Sequence, residues 1–131
     1  MIHSIGLFWR HDQVNWGAGS QAGALLGVPA HNTTAEPIDF RRQMGIYVLY
    51  SDYRPIYVGQ AGSGNAKLFA RLKRHMSDDL SERWDRFSWF GLRRVLNSGE
   101  LSKVNQSSHP AIATVLDHIE AILIHSIEPP L

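Results

Sequence analysis

The sequence predicts an α/β (α+β) domain: a three-stranded antiparallel sheet flanked by helices, with an amino-terminal extension ahead of it. Three observations predict it. Two apolar runs, at 45–50 and 56–59, flank a turn-like segment; a basic amphipathic stretch at 66–75 follows; and a further apolar run at 87–92 precedes a long helical pattern that begins near Pro110. At 131 residues the chain is long enough for one real hydrophobic core and short for two. The expected organisation is an extension over 1–43 that packs on a core domain over 44–131.

The elements follow in order. Residues 5–16 have the make-up of a short strand or hairpin around His11-Asp12, residues 17–27 are rich in Gly and Ala, and 31–37 read as a linker. Ile46, Val48 and Tyr50 alternate with Tyr47 and Leu49, the period of a strand. With 51–55 as the turn, Leu49 pairs with Tyr57 and Tyr47 with Gly59, so all four share one sheet face. A glycine opposite a tyrosine is expected to leave open space beside the phenol. Leu68, Leu72 and Met76 mark the core side of the first helix, and Lys67, Arg71 and His75 recur every four residues beside it. The run Phe87-Ser88-Trp89-Phe90-Gly91-Leu92 is apolar nearly throughout, as a central strand would be. Ser98-Gly99 marks a turn, and Pro110 suits the first turn of the last helix, where its missing N–H costs nothing. Ile112, Val115, Leu116, Ile119, Ile122 and Leu123 form that helix's apolar stripe.

Composition excludes several classes. With 44% hydrophobic and 19% charged residues the chain is ordinary for a globular protein. There is no cysteine, which removes disulfides and thiolate metal sites and suits a reducing compartment. No stretch approaches a membrane span, and the amino terminus lacks a basic-then-apolar signal pattern; the expectation is a soluble, cytoplasmic protein without a membrane partner. Net charge is only +1, but Lys67, Arg71, Lys73 and Arg74 fall within eight residues. Such a local stripe fits a small anionic docking surface.

The chemistry-bearing residues each have an ordinary explanation taken singly. Tyr47 and Tyr57 suit a strand interior, and Lys67/Arg71/His75 suit a solvated helix face. Glu120 sits at the edge of the last helix's apolar stripe, where a carboxylate needs a cationic partner or a metal. A single carboxylate that completes its shell with water and phosphate oxygens suits Mg²⁺. The seven histidines are scattered without a metal-ligand spacing, which argues against zinc. The glycines of 59–64 lack the Lys-Ser/Thr that ends a phosphate-binding loop.

Taken together, Gly45-Ile46-Tyr47, Tyr57-Val58-Gly59, Arg71, His75 and Glu120 resemble the GIY-YIG endonuclease superfamily over about two thirds of the chain. The Arg71-x-x-x-His75 pair is closest to its restriction-enzyme branch. The resemblance implies cleavage of nucleic acid, usually DNA, with one Mg²⁺ or Mn²⁺ ion held by Glu120. It implies Tyr47 as general base toward water, Tyr57 and His75 hydrogen-bonding around it, and Arg71 stabilising charge on phosphate. Gly59, Lys67, Lys73 and Arg74 are then the expected nucleic-acid contacts. The family pattern also has an asparagine after a proline-bearing turn; here Pro129-Pro130-Leu131 ends the sequence before that position, as a trimmed domain or an incomplete site would. The function expected is a DNA endonuclease, of restriction or phage-defence type, against the alternative of a nucleic-acid-binding module that keeps the fold without efficient catalysis. One small site cuts one strand per visit, so double-strand cleavage calls for a homodimer or two encounters.

Overall fold

Strand-forming sequence dominates the chain. The computed structural model describes residues 2–29, 31–62 and 66–103. In chain order these form β1 (Ser4–Arg10), a 3-10 turn (His11–Gln13), β2 (Asn15–Ala18), β3 (Gln21–Ala24), β4 (Leu26–Gly27), β5 (Ile38–Asp39), β6 (Gly45–Ser51), β7 (Arg54–Ala61), α1 (Leu68–Arg74) and β8 (Arg86–Gly91). The principal sheet has four strands in the order β1-β8-β6-β7, every neighbour antiparallel, and two small two-stranded sheets pair β2 with β3 and β4 with β5.

This corrects the expected three-stranded sheet flanked by helices. The strands at 45–51, 54–61 and 86–91 do pair with one another, but a fourth, β1, closes the far side of β8, and α1 is the single α-helix among the described residues. The long helix expected after Pro110, with Glu120 on it, lies outside the described residues. The reason β1 escaped the pattern is physical. Its pairing with β8 slips between Gly6 and Trp9, Phe8 sits in the left-handed region at φ 54°, and the Phe8 N–H is taken by the Ser88 Oγ at 3.0 Å. A bulge of this kind destroys strict period-two alternation. Gly6 also leaves room that the Trp89 indole occupies, since a Cβ there would lie within 3.0 Å of three indole atoms. Residues 5–16 therefore hold a strand but not a hairpin, because β1 pairs with β8 and β2 pairs with β3.

The β6–β7 hairpin keeps the expected pairs, Tyr47 with Gly59 and Leu49 with Tyr57, by a different route. The turn is only Asp52-Tyr53, with Asp52 at φ 59°, and Ile56 is the extra residue of a bulge that opposes Leu49/Tyr50. Aspartate tolerates that left-handed backbone better than most residues. One sheet face then carries Tyr47, Leu49, Tyr57, Phe87 and Trp89, and the other carries Ile46, Val58 and Phe90 with Leu92.

The first face is the main core. Leu68, Phe69 and Leu72 of α1 cover part of it, and Leu25, Phe40, Trp16 and Trp84 cover the rest. Aromatic contacts knit these layers: Phe40 meets Trp89 at 4.7 Å and Trp16 meets Phe69 at 5.5 Å between ring centroids. Full burial of a Phe-sized side chain contributes about 1.5–3 kcal/mol, so segments with no helical or strand periodicity supply much of the stability. One buried polar residue stitches the ends together. The Gln43 amide donates to Ser4 Oγ (3.2 Å) and to the Arg93 carbonyl (3.1 Å), and it accepts from the Met44 and Arg93 N–H groups.

Candidate active site

Four of the residues singled out in the sequence meet on the core face of the sheet beside α1. Tyr47 comes from β6, Tyr57 from its partner β7, Arg71 from the fourth residue of α1, and His75 from that helix's C-terminal cap. The Tyr47 ring centroid lies 6.2 Å from Tyr57 and 5.6 Å from His75, and Tyr57 and His75 are 5.0 Å apart. Tyr47 has no solvent exposure and His75 only 6%. Tyr57 and Arg71 keep part of their surface in solvent.

The space expected beside the phenol is filled by the phenol itself. A Cβ on Gly59 would come within 3.0 Å of Tyr47 Cζ, Oη and Cε1, so the glycine is what lets the ring lie flat across β7. Gly59 is buried beneath that ring rather than presented to a ligand. Tyr47 Oη then reaches His75 Nε2 at 2.8 Å.

His75 is aimed by a residue the sequence reading did not single out. Its Nδ1 lies 2.6 Å from Asp78 Oδ2, and its backbone carbonyl accepts from Trp84 Nε1 at 3.0 Å. Partial desolvation would raise the Asp78 carboxyl, but the Leu80 N–H and the His75 ring outweigh it and hold its pKa below the ordinary carboxylate value. An ionised carboxylate can only accept, so Nδ1 carries the hydrogen, and in the neutral ring Nε2 is left to accept from the Tyr47 O–H. The signal for Asp78 was present as a carboxylate three residues after His75, spaced for contact on a helical turn.

Electrostatics set the state of the phenol. Burial pushes the Tyr47 pKa up to about 12; the Arg71 guanidinium opposes that rise and the Tyr57 hydroxyl adds to it. The Arg71 guanidinium lies near enough to the Tyr47 hydroxyl to oppose the rise in its pKa, while its buried Nε has no hydrogen-bond partner among the described residues. The cluster thus holds a neutral phenol with an acceptor on one side and a guanidinium with unused donor capacity on the other.

The remaining basic residues diverge. Lys67 is the N-cap of α1 and half-buried, whereas Lys73 and Arg74 are exposed in its last turn. Among the described residues no group of three His, Cys, Asp or Glu side chains is placed to hold a metal ion. Asp78, the carboxylate bonded into the cluster, has one oxygen on His75 and the other on the Leu80 N–H. Glu120, the metal ligand that the sequence resemblance implies, lies outside the described residues. Among the described residues no helix is long and apolar enough to cross a membrane. No protein-family model, curated protein or solved structure matches the chain.

Proposed function

We propose that the chain is a metal-dependent endonuclease that hydrolyses DNA phosphodiester bonds, a cytoplasmic enzyme of the GIY-YIG kind. The observation that carries this reading is the hydrogen-bonded chain from Tyr47 through His75 to Asp78, with Arg71 and Tyr57 at the same hydroxyl.

The geometry favours a relay over a free phenolate. With its pKa near 12, Tyr47 stays protonated at neutral pH, and ionising it alone there would cost about 7 kcal/mol. In a relay no isolated phenolate forms. The Tyr47 oxygen accepts a proton from the attacking water while its own proton passes to His75 Nε2, and Asp78 stabilises the imidazolium that results. An imidazole ordinarily gains and loses protons near neutrality, which makes it the better terminal acceptor. Arg71, through its unpartnered Nε and a terminal nitrogen, has the fork that pairs with two phosphate oxygens and stabilises charge developing there. A divalent ion held by Glu120 would add Lewis-acid stabilisation of the phosphate and the leaving 3′ oxygen. Lys73 and Arg74 would contact the backbone without reading sequence.

A second reading, a nucleic-acid-binding module without efficient catalysis, draws support from the complete burial of Tyr47. Plasmid cleavage in Mg²⁺ and Mn²⁺ separates the two. The enzyme reading expects nicking or linearisation by wild type, lost in Tyr47→Phe and in Glu120→Ala. Duplex binding that weakens with salt, with no cutting under either ion, would leave only the module. Comparing nicked with linear product against protein concentration reports whether a homodimer cuts both strands.

A further inference from the structure

A second concentration of positive charge lies away from the tyrosine cluster, in a pocket of about 470 Å³. It is lined by Arg41, Arg42, Arg93 and Lys103, with Asp39 and Glu100 as its acidic members.

The charges in this pocket are poorly satisfied. Asp39 Oδ1 accepts from the Leu25 and Arg41 N–H groups, and among the described residues none of the four cations forms an ion pair. Arg41 is committed elsewhere, donating to the Gly23 carbonyl at 2.9 Å and lying 5.1 Å over the Phe69 ring. Arg93 is different. Its terminal nitrogens reach the Ser102 carbonyl at 3.3 Å and the weak acceptor Met44 Sδ at 3.4 Å, and its buried Nε has no partner among the described residues. Burial, and then the like charge of Arg42, push its pKa below the ordinary guanidinium value. Leaving a buried charged donor unmet is costly, and bringing a second cation beside it adds to the cost. An anion with several acceptor oxygens relieves both at once.

We propose that Arg42, Arg93 and Lys103 form a second phosphate-binding site, filled by a backbone phosphate of the nucleic acid on which the tyrosine cluster acts. The assignment to nucleic acid rests on the function proposed above; the phosphate chemistry does not. A guanidinium fork with a neighbouring guanidinium and an ammonium suits a tetrahedral oxyanion better than a single carboxylate. Its position fits a nearby phosphate on the same strand. Arg93 follows the end of β8, and β6 begins opposite it where Gly45 pairs with Gly91. Arg93 is two residues past Gly91 and Tyr47 two residues past Gly45 in the opposite sense, so the two are offset by roughly four strand positions, about 14 Å along the sheet. Glu100, exposed on the rim, weakens the site.

The test uses inorganic phosphate and a DNA duplex as separate probes. Titrating ¹⁵N-labelled protein with phosphate is expected to shift the amides of 93, 102 and 103 and the Arg93 Nε–H, an effect lost in Arg42→Ala and strengthened in Glu100→Gln. Duplex affinity by fluorescence anisotropy is expected to fall about tenfold in Arg42→Ala, with the slope of log affinity against log salt shallower by about one. Arg93→Lys, which keeps the charge and loses the fork, should weaken phosphate binding while leaving thermal unfolding close to wild type. Absence of phosphate shifts at this pocket overturns the site. Phosphate shifts with an unchanged duplex salt slope in Arg42→Ala overturn the backbone assignment. Phosphate shifts in a protein with no duplex affinity sink the nuclease reading and leave the pocket as a site for a free phosphate group.

Discussion

Replacing Gly59 by alanine adds one methyl group at the point where the hairpin and the proposed chemistry meet. The new Cβ would fall within 3.0 Å of Tyr47 Cζ, Oη and Cε1, whereas ordinary contact begins at 3.4 Å. The hydroxyl end of the ring must therefore withdraw by more than the 0.4 Å between those limits. It has little freedom to do so, because Tyr47 is wholly buried and Tyr57 and His75 lie on its other sides. The 2.8 Å bond to His75 Nε2 then lengthens or loses alignment. Overpacking of a filled core costs about 1–3 kcal/mol, and loss of an aligned base costs roughly 10²-fold or more in rate. The assay is single-turnover plasmid nicking in Mg²⁺ together with urea unfolding and the His75 ring resonances. Val58→Ala serves as control, since Val58 packs on the opposite face and its loss lowers stability without touching the ring. Gly59→Ala that nicks at the wild-type rate with unmoved His75 resonances would refute the claim that this glycine seats the phenol. A loss matched by Val58→Ala would show that stability, not alignment, was being measured.

Three further outcomes follow from the same geometry. Tyr47→Phe removes the hydroxyl but not the ring, so it should cost only about 1 kcal/mol in urea unfolding while nicking falls by roughly 10²–10⁴-fold. Asp78→Asn leaves His75 without the partner that fixes its tautomer; nicking should fall roughly 10–10²-fold with a shift in its pH profile, and Asp78→Glu should recover part of it, whereas equal loss in both would point to a merely structural contact. The Tyr47 phenol titrates near 12 in the fold against 10.0 otherwise, so the neutral form is favoured by folding; that stabilisation, about 2–3 kcal/mol, is complete below pH 10 and is lost as pH rises toward 12. Urea midpoints measured from pH 8 to 12 should show this extra alkaline loss in wild type and not in Tyr47→Phe.

The β6–β7 register was legible because it depends on neighbours. Alternation at 46–50, turn residues after it and a second apolar run suffice to put Tyr47 opposite Gly59. Even the bulge at Ile56 left the pairs unchanged, since the shorter turn offset the extra residue. The central place of β8 was legible for a similar reason, a run apolar on both faces. The composition of α1 placed Arg71 and His75 one turn apart, but nothing local indicated that His75 would be buried against the tyrosines rather than solvated.

What the sequence determined by itself, then, was a hairpin, its register, a third strand and a basic helix, all written in periodicities a few residues long. Only the tertiary structure decided the rest: β1 as the fourth strand, Asp78 as the partner that orients His75, the Tyr47 ring lying on Gly59, and Arg42 and Arg93 lining one pocket. The place of β1 depends on contacts between segments tens of residues apart, as when Gln43 ties Ser4 to Arg93. The His75–Asp78 and Tyr47–Gly59 contacts are short in sequence but depend on how the side chains are buried. Such contacts are fixed by packing and by the need to satisfy every buried donor and acceptor, and neither requirement leaves a periodic trace in the chain.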